Sequence, residues 1–90
     1  MSRQEILEGL REIILAMNPE QEEQIKKMNE DSLLFEDLGL SSVSLIYMVM
    51  TIEDRFNIEF TDIGVEDFKT VGQTIDYIEK KQKWLSFIFF

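Results

Sequence analysis

Apolar residues recur at Ile6, Leu10, Ile13, Ile14 and Met17, a spacing that gathers into one stripe only on a helix. Ser2 followed by Glu5 reads as a capping box at its start, and Asn18-Pro19 stops it near Met17, because a residue before proline avoids the helical region. Asn18 is then placed to cap a short acidic turn with Pro19 first, since Glu20, Glu22 and Glu23 suit a helix N-terminus. From about residue 29 to 41 the chain reads as a connection anchored by Leu33, Leu34, Phe35 and Leu38. A second long helix is expected from Ser42 to Phe56, with Leu45, Val49, Ile52 and Phe56 stacked, Ile46 beside them, and Ser44, Tyr47, Thr51, Asp54 and Arg55 displayed opposite. Beyond Asn57, the stretch Ile58 to Asp67 carries Gly64 and several acids, with Val65 and Phe68 as anchors of a short turn or helix. Thr70 with Gln73 makes another capping box, ahead of Val71, Ile75 and Ile78 at helical spacing. No alternating strand pattern competes. The fold class expected is all-α: a small bundle of three main helices plus a short one, with a long loop between the first and second.

The 90 residues suit one domain with its own core, here residues 1–83, followed by an apolar tail at 84–90. Cysteine and histidine are both absent. That removes thiolate chemistry, Ser-His and Cys-His nucleophiles and the commonest metal ligands, so a binding or carrying role is expected rather than an enzyme. The acids from Glu53 to Asp62 lack the alternation and glycine of an EF-hand loop, and no metal site is expected. With a formal net charge of −9, the chain repels nucleic acid and attracts basic patches on other proteins; plain solubility is the other use of such charge. No stretch reaches the roughly 20 apolar residues that cross a bilayer, and MSRQEILEGL lacks a signal peptide's apolar core. A cytoplasmic location follows as the expectation.

Between the first two long helices stands Gly39-Leu40-Ser41-Ser42-Val43-Ser44-Leu45, three serines in a short run at a helix entrance. A helix leaves its first N–H groups without partners, and Ser41 is placed to accept from one of them. Ser42 then becomes the first helical residue, its hydroxyl free beside a positive helix end that favours an attached phosphate. The run Glu36-Asp37-Leu38-Gly39-Leu40-Ser41-Ser42-Val43, followed by Val49 to Phe56 with its Glu53-Asp54 pair and by Ile58-Glu59-Phe60, resembles the acyl carrier protein family. The resemblance covers most of the chain, through Tyr77-Ile78. It implies that Ser42 bears a 4′-phosphopantetheine arm, installed from coenzyme A by a phosphopantetheinyl transferase, whose terminal thiol holds acyl cargo as a thioester. A protein without Cys or His could then handle activated acyl groups with a borrowed thiol.

Two departures bear on partners. The family usually has Asp immediately before the modified serine, where this chain has Ser41, and positions beyond it that are often acidic in fatty-acid carriers are Ser44 and Tyr47 here. The recognition surface expected for acyl-handling enzymes with basic docking patches is therefore Asp37, Ser44, Tyr47, Met48, Glu53, Asp54 and Glu59, thinned of charge at its front. This favours a specialised fatty-acid, polyketide or related pathway. The alternative is a carrier-like interaction domain that is never modified. Met48 and Met50 could also line an acyl pocket, although methionines on a helix more often fill core gaps. The tail Trp84 to Phe90 lies outside the resemblance; too short to span a membrane, it is expected to pack on the bundle, bury in a partner or self-associate.

Overall fold

The computed structural model describes residues 1–60 and 68–89, with side chains as far as Lys83. Among the described residues four α-helices follow one another: α1 (Arg3–Met17), α2 (Glu22–Lys26), α3 (Ser42–Phe56) and α4 (Val71–Phe89), with a 3-10 turn at Pro19–Gln21 before α2. Among the described residues the only sheet-like pairing is an isolated bridge between Leu33 and Thr70.

Each long helix starts where its cap dictates. Ser2 Oγ accepts the Glu5 N–H at 3.1 Å while the Glu5 carboxylate accepts the Ser2 N–H at 3.0 Å, and this pair of bonds holds the Glu5 carboxyl below the usual carboxylate range, the backbone bond first. At α4, Thr70 Oγ1 accepts from Gln73 N at 3.1 Å and Gln73 Oε1 accepts from Thr70 N at 3.0 Å. The two N–H groups before Gln73 go to the α2–α3 loop: Val71 donates to the Ser32 carbonyl at 3.0 Å and Gly72 to the Glu30 carbonyl at 2.8 Å. The entrance to α4 is thus stitched to the loop with every early donor satisfied.

The core runs through Ile6, Leu10 and Ile14 of α1, Ile25 of α2, Leu34 and Leu38 of the loop, Leu45, Met48 and Ile52 of α3, and Val71, Ile75 and Ile78 of α4. Fully burying one such side chain stabilises by about 1.5–3 kcal/mol relative to leaving it in water. Gly9 lets α1 approach α3: a Cβ there would stand 2.9 Å from Phe56 Cζ.

Three sequence expectations are corrected. Asn18 precedes the 3-10 turn with Pro19 first, but its side chain makes no cap bond and its Nδ2 is buried without a partner; Gln21 N–H, one of two donors a cap would use, goes to the Asn18 carbonyl at 3.0 Å instead. Leu33 is exposed rather than an anchor; its neighbours Leu34 and Leu38 are buried and Phe35 is half-buried. On α3, Ile46 is 55% exposed while Met48 is fully buried. The core stripe lies rotated toward Met48 because α1 is the helix that packs against α3, on the side of Ser44, Tyr47 and Thr51. Val65 and Gly64 lie outside the described residues; Phe68 is buried and meets both Phe60 and Tyr77 edge-on, while Phe60 stacks on Tyr77.

Arg3 joins three segments. Its guanidinium pairs with Asp76 at 2.7 Å and with Glu30 and Glu79, so the start of α1, the α2–α3 loop and the middle of α4 share one charge. The Arg3 hydrogen bond draws the Glu30 carboxyl down from its ordinary value, and Arg3 itself is raised, by Glu30 first. Arg11 reaches from α1 to the C-terminal end of α2, donating to the carbonyls of Ile25 at 3.2 Å and Met28 at 2.9 Å, where a cation suits exposed helix carbonyls.

Candidate functional site at the entrance to α3

The approach to α3 is a tight reversal. Leu33 O accepts from both Asp37 N and Leu38 N, and Gly39 turns through φ +72, a left-handed conformation that glycine alone adopts cheaply. Leu40 is buried and its N–H reaches the Leu34 carbonyl at 3.1 Å. A floor residue therefore locks the loop from inside while the next residues stay outside.

Ser41 then sits in extended backbone as the cap, its Oγ accepting the Ser44 N–H at 3.1 Å, and its carbonyl accepts the Leu45 N–H at 2.8 Å. Ser41 Oγ and Ser44 Oγ also lie 3.1 Å apart, hydroxyl to hydroxyl. Ser42, the first residue of α3, is exposed. Among the described residues the N–H groups of Ser42 and Val43 have no protein partner. An exposed hydroxyl thus stands beside two free donors at a positive helix end, and Ser41 in place of an acid puts no carboxylate against it. This donor set fits a phosphate esterified to Ser42.

The expected recognition residues separate in the structure. Tyr47, Asp54 and Glu59 are exposed and Ser44 is half-buried. Asp37 is exposed but its Oδ2 accepts the Leu33 N–H at 2.8 Å, holding the reversal. Glu53 Oε2 accepts the Phe60 N–H at 2.9 Å and so fixes the chain after α3, where Asn57 takes the left-handed cap position at φ 54. Met48 is removed from that surface: with no exposed area it belongs to the core. Met50, by contrast, is 60% exposed. A groove of about 580 Å³ runs between α1 and α3 past Ile13, Met17, Ser44, Tyr47 and Thr51, closed at one end by the Arg55–Glu12 ion pair at 2.6 Å.

Sequence reasoning missed one feature. Val43, Ile46, Tyr47 and Met50 are all exposed and repeat at i, i+3, i+4 and i+7 from the residue after Ser42, so they share one outward face. Their spacing carries the signal, hidden as long as Ile46 is read as part of the core stripe.

Compared with known proteins, residues 8–78 match the family described as Phosphopantetheine attachment site. The chain is similar to the acyl carrier protein of Wolinella succinogenes, with 36% identity over 77 residues, 82% of this chain and 93% of the relative. It is 36% identical over 80 residues to the acyl carrier protein of Thermotoga maritima, covering 89% of this chain and 95% of the relative. With that of Chlamydia caviae the identity is 39% over 56 residues, 62% of this chain and 73% of the relative.

Proposed function

We propose, from the premise that this chain belongs to the acyl carrier protein family, a carrier family with covalently attached 4′-phosphopantetheine rather than a family of enzymes, that Ser42 bears the arm and that the protein serves a specialised acyl-handling pathway. The observation that carries the reading is the division of labour at the entrance to α3: Ser41 Oγ is committed to the Ser44 N–H at 3.1 Å, while Ser42 is exposed at the first helical position. When bound, the arm supplies the thiol that holds acyl cargo as a thioester.

In the loading step the Ser42 hydroxyl oxygen forms the new bond to the phosphorus of coenzyme A that carries pantetheine, the pyrophosphate bond breaks, and the adenosine bisphosphate half leaves. The hydroxyl proton passes to a base on the transferase or to water. This chain's residues do the holding: Gly39 and buried Leu40 set the loop, Ser41 keeps the helix start formed, and the N–H groups of Ser42 and Val43 face the incoming negative charge.

Acyl-handling enzymes with basic docking patches are met by Asp54, Glu59 and, with one oxygen engaged internally, Asp37 and Glu53. Ser44 and Tyr47 stand uncharged between them, which supports a dedicated fatty-acid, polyketide or related enzyme set; the compartment proposed for it is the cytoplasm. Intact-mass analysis after incubation with a phosphopantetheinyl transferase and coenzyme A tests the assignment. The chain is expected to gain one phosphopantetheinyl group, Ser41→Ala to keep that gain and Ser42→Ala to lose it. A gain that survives Ser42→Ala overturns the site, and no gain in the unaltered chain favours an unmodified interaction domain, for which the serine at position 41 is the one supporting observation.

A further inference from the structure

Arg55 is the single cation in the sequence between Lys27 and Lys69, and it stands among the acids that a basic partner would meet. Asp54 precedes it and Glu59 follows four residues on; both are exposed, and neither makes an ion pair among the described residues. Tyr47, Thr51 and Arg55 recur at every fourth residue of α3 and so form one column along it. A free guanidinium at the foot of that column would repel the cations of a docking enzyme and compete with them for Asp54 and Glu59.

The fold draws this charge aside. Arg55 Nη2 donates to Glu12 Oε2 of α1 at 2.6 Å, and Arg55 Nε lies 3.6 Å from where a Cβ on Gly9 would stand. Gly9 and Glu12 are three residues apart and share a face of α1. That helix therefore offers the arginine a seat in two parts: at Gly9 no side chain obstructs its approach, and at Glu12 a carboxylate receives its end. The other acids of α1 are engaged elsewhere, Glu5 by the Ser2 N–H and Glu8 by Arg11. With side chains 45% and 64% exposed, the Arg55–Glu12 pair contributes little to stability. Its consequence is directional, since it turns the guanidinium toward α1 and leaves Asp54 and Glu59 as the charges on show.

We propose that Glu12 is a specificity-determining residue of the docking surface although it lies on α1: by holding Arg55 against α1 it keeps the one cation of α3 from opposing enzymes with basic patches. Glu12 acts through Arg55 and is a positioning residue. The proposal rests on the reading of the protein as a carrier loaded at Ser42 and met by basic enzymes. An exposed pair of this kind biases a side chain by up to about 5-fold, which sets the size of the effect. Because the interaction is between exposed charges, it changes encounter and affinity rather than the chemistry at the serine, and salt screens it.

A double-mutant cycle tests this, with loading by a phosphopantetheinyl transferase and coenzyme A followed by intact mass across a range of salt. Glu12→Gln should raise KM for the carrier by about 3- to 5-fold at low salt with kcat unchanged, and the difference should fade as salt rises. Arg55→Gln should not raise KM, and adding Glu12→Gln to it should cost almost nothing, because there is no longer a cation to release. Glu23→Gln, which removes the same charge at another exposed position, controls for net charge. The proposal is overturned if Glu12→Gln does no more than Glu23→Gln, if it costs the same with and without Arg55, or if it lowers kcat with KM unchanged. An unaltered chain that takes up no arm removes the functional reading and the proposal with it, whereas normal loading with an additive cycle overturns the proposal alone.

Discussion

The Glu30 carbonyl oxygen accepts the Gly72 N–H at 2.8 Å and stands 2.9 Å from where a Cβ on Gly72 would lie. One oxygen therefore both satisfies the second donor of α4 and fills the space of a side chain. Helix propensity alone would make Gly72→Ala stabilising by about 1 kcal/mol. The backbone collision reverses the sign, because the loop must retreat and leave early donors of α4 unpaired. We expect Gly72→Ala to lower stability by about 1–3 kcal/mol in a denaturant titration; a gain would show that the loop yields freely.

Acid sensitivity should trace to Arg3. Its bonds hold Glu30 below the usual carboxylate value, so the stability this pair contributes is complete above the unfolded carboxylate pKa of about 4.3 and is lost as pH falls through the lower folded value. Arg3 is shifted up and stays charged throughout that range. Melting temperature followed from neutral to acid pH should fall in this window, and Arg3→Gln should flatten that part of the fall while lowering the neutral plateau.

Ser41→Ala should cost about 0.5–2 kcal/mol by removing the acceptor for the Ser44 N–H, with loading at Ser42 retained. Ser42→Ala should melt close to the unaltered chain and take up no arm. Thermal melts beside intact masses separate the cap from the attachment point.

Met48→Ala and Tyr47→Ala should act in opposite compartments. Met48 is fully buried, so its truncation is expected to cost about 2–5 kcal/mol. Tyr47 is 61% exposed; its truncation should change stability by less than about 0.5 kcal/mol and slow use by the cognate enzyme instead.

Restoring charge at the front of α3 should redirect partner choice. Ser41→Asp with Tyr47→Glu adds acids on either side of Ser44; Ser44 itself is left alone because its hydroxyl lies 3.1 Å from that of Ser41, where a second carboxylate would repel the first. The double variant should be used faster by a basic fatty-acid ketosynthase or acyltransferase, the gain fading as salt rises. Equal use of the unaltered chain by those enzymes would remove the argument for a specialised pathway.

What could be read without coordinates was local. The boundaries of α1 and α3, the capping boxes at Ser2-Glu5 and Thr70-Gln73 and the cap at Ser41 depend on groups within four residues of one another, and so the sequence carries them almost whole. The short order of loop, serine and apolar helix carried the family resemblance in the same way. The candidate attachment point was legible for this reason: a helix start is a local event.

The tertiary structure alone decided the rest, because those features depend on which helix lies beside which. Periodicity defines a stripe on α3 but not its rotation; α1 packing on one flank buried Met48 and turned Ile46 outward, and that rotation placed Val43, Ile46, Tyr47 and Met50 on one exposed face. Asp37 and Glu53 look like free surface acids in the sequence and are engaged by backbone N–H groups of Leu33 and Phe60. Nothing near Arg3 in the chain foretells that it gathers Glu30, Asp76 and Glu79, and nothing near Gly72 foretells the Glu30 carbonyl. The sequence by itself determined where the three long helices begin and which hydroxyl opens α3; packing between segments far apart in the chain determined which side chains are left to meet a partner.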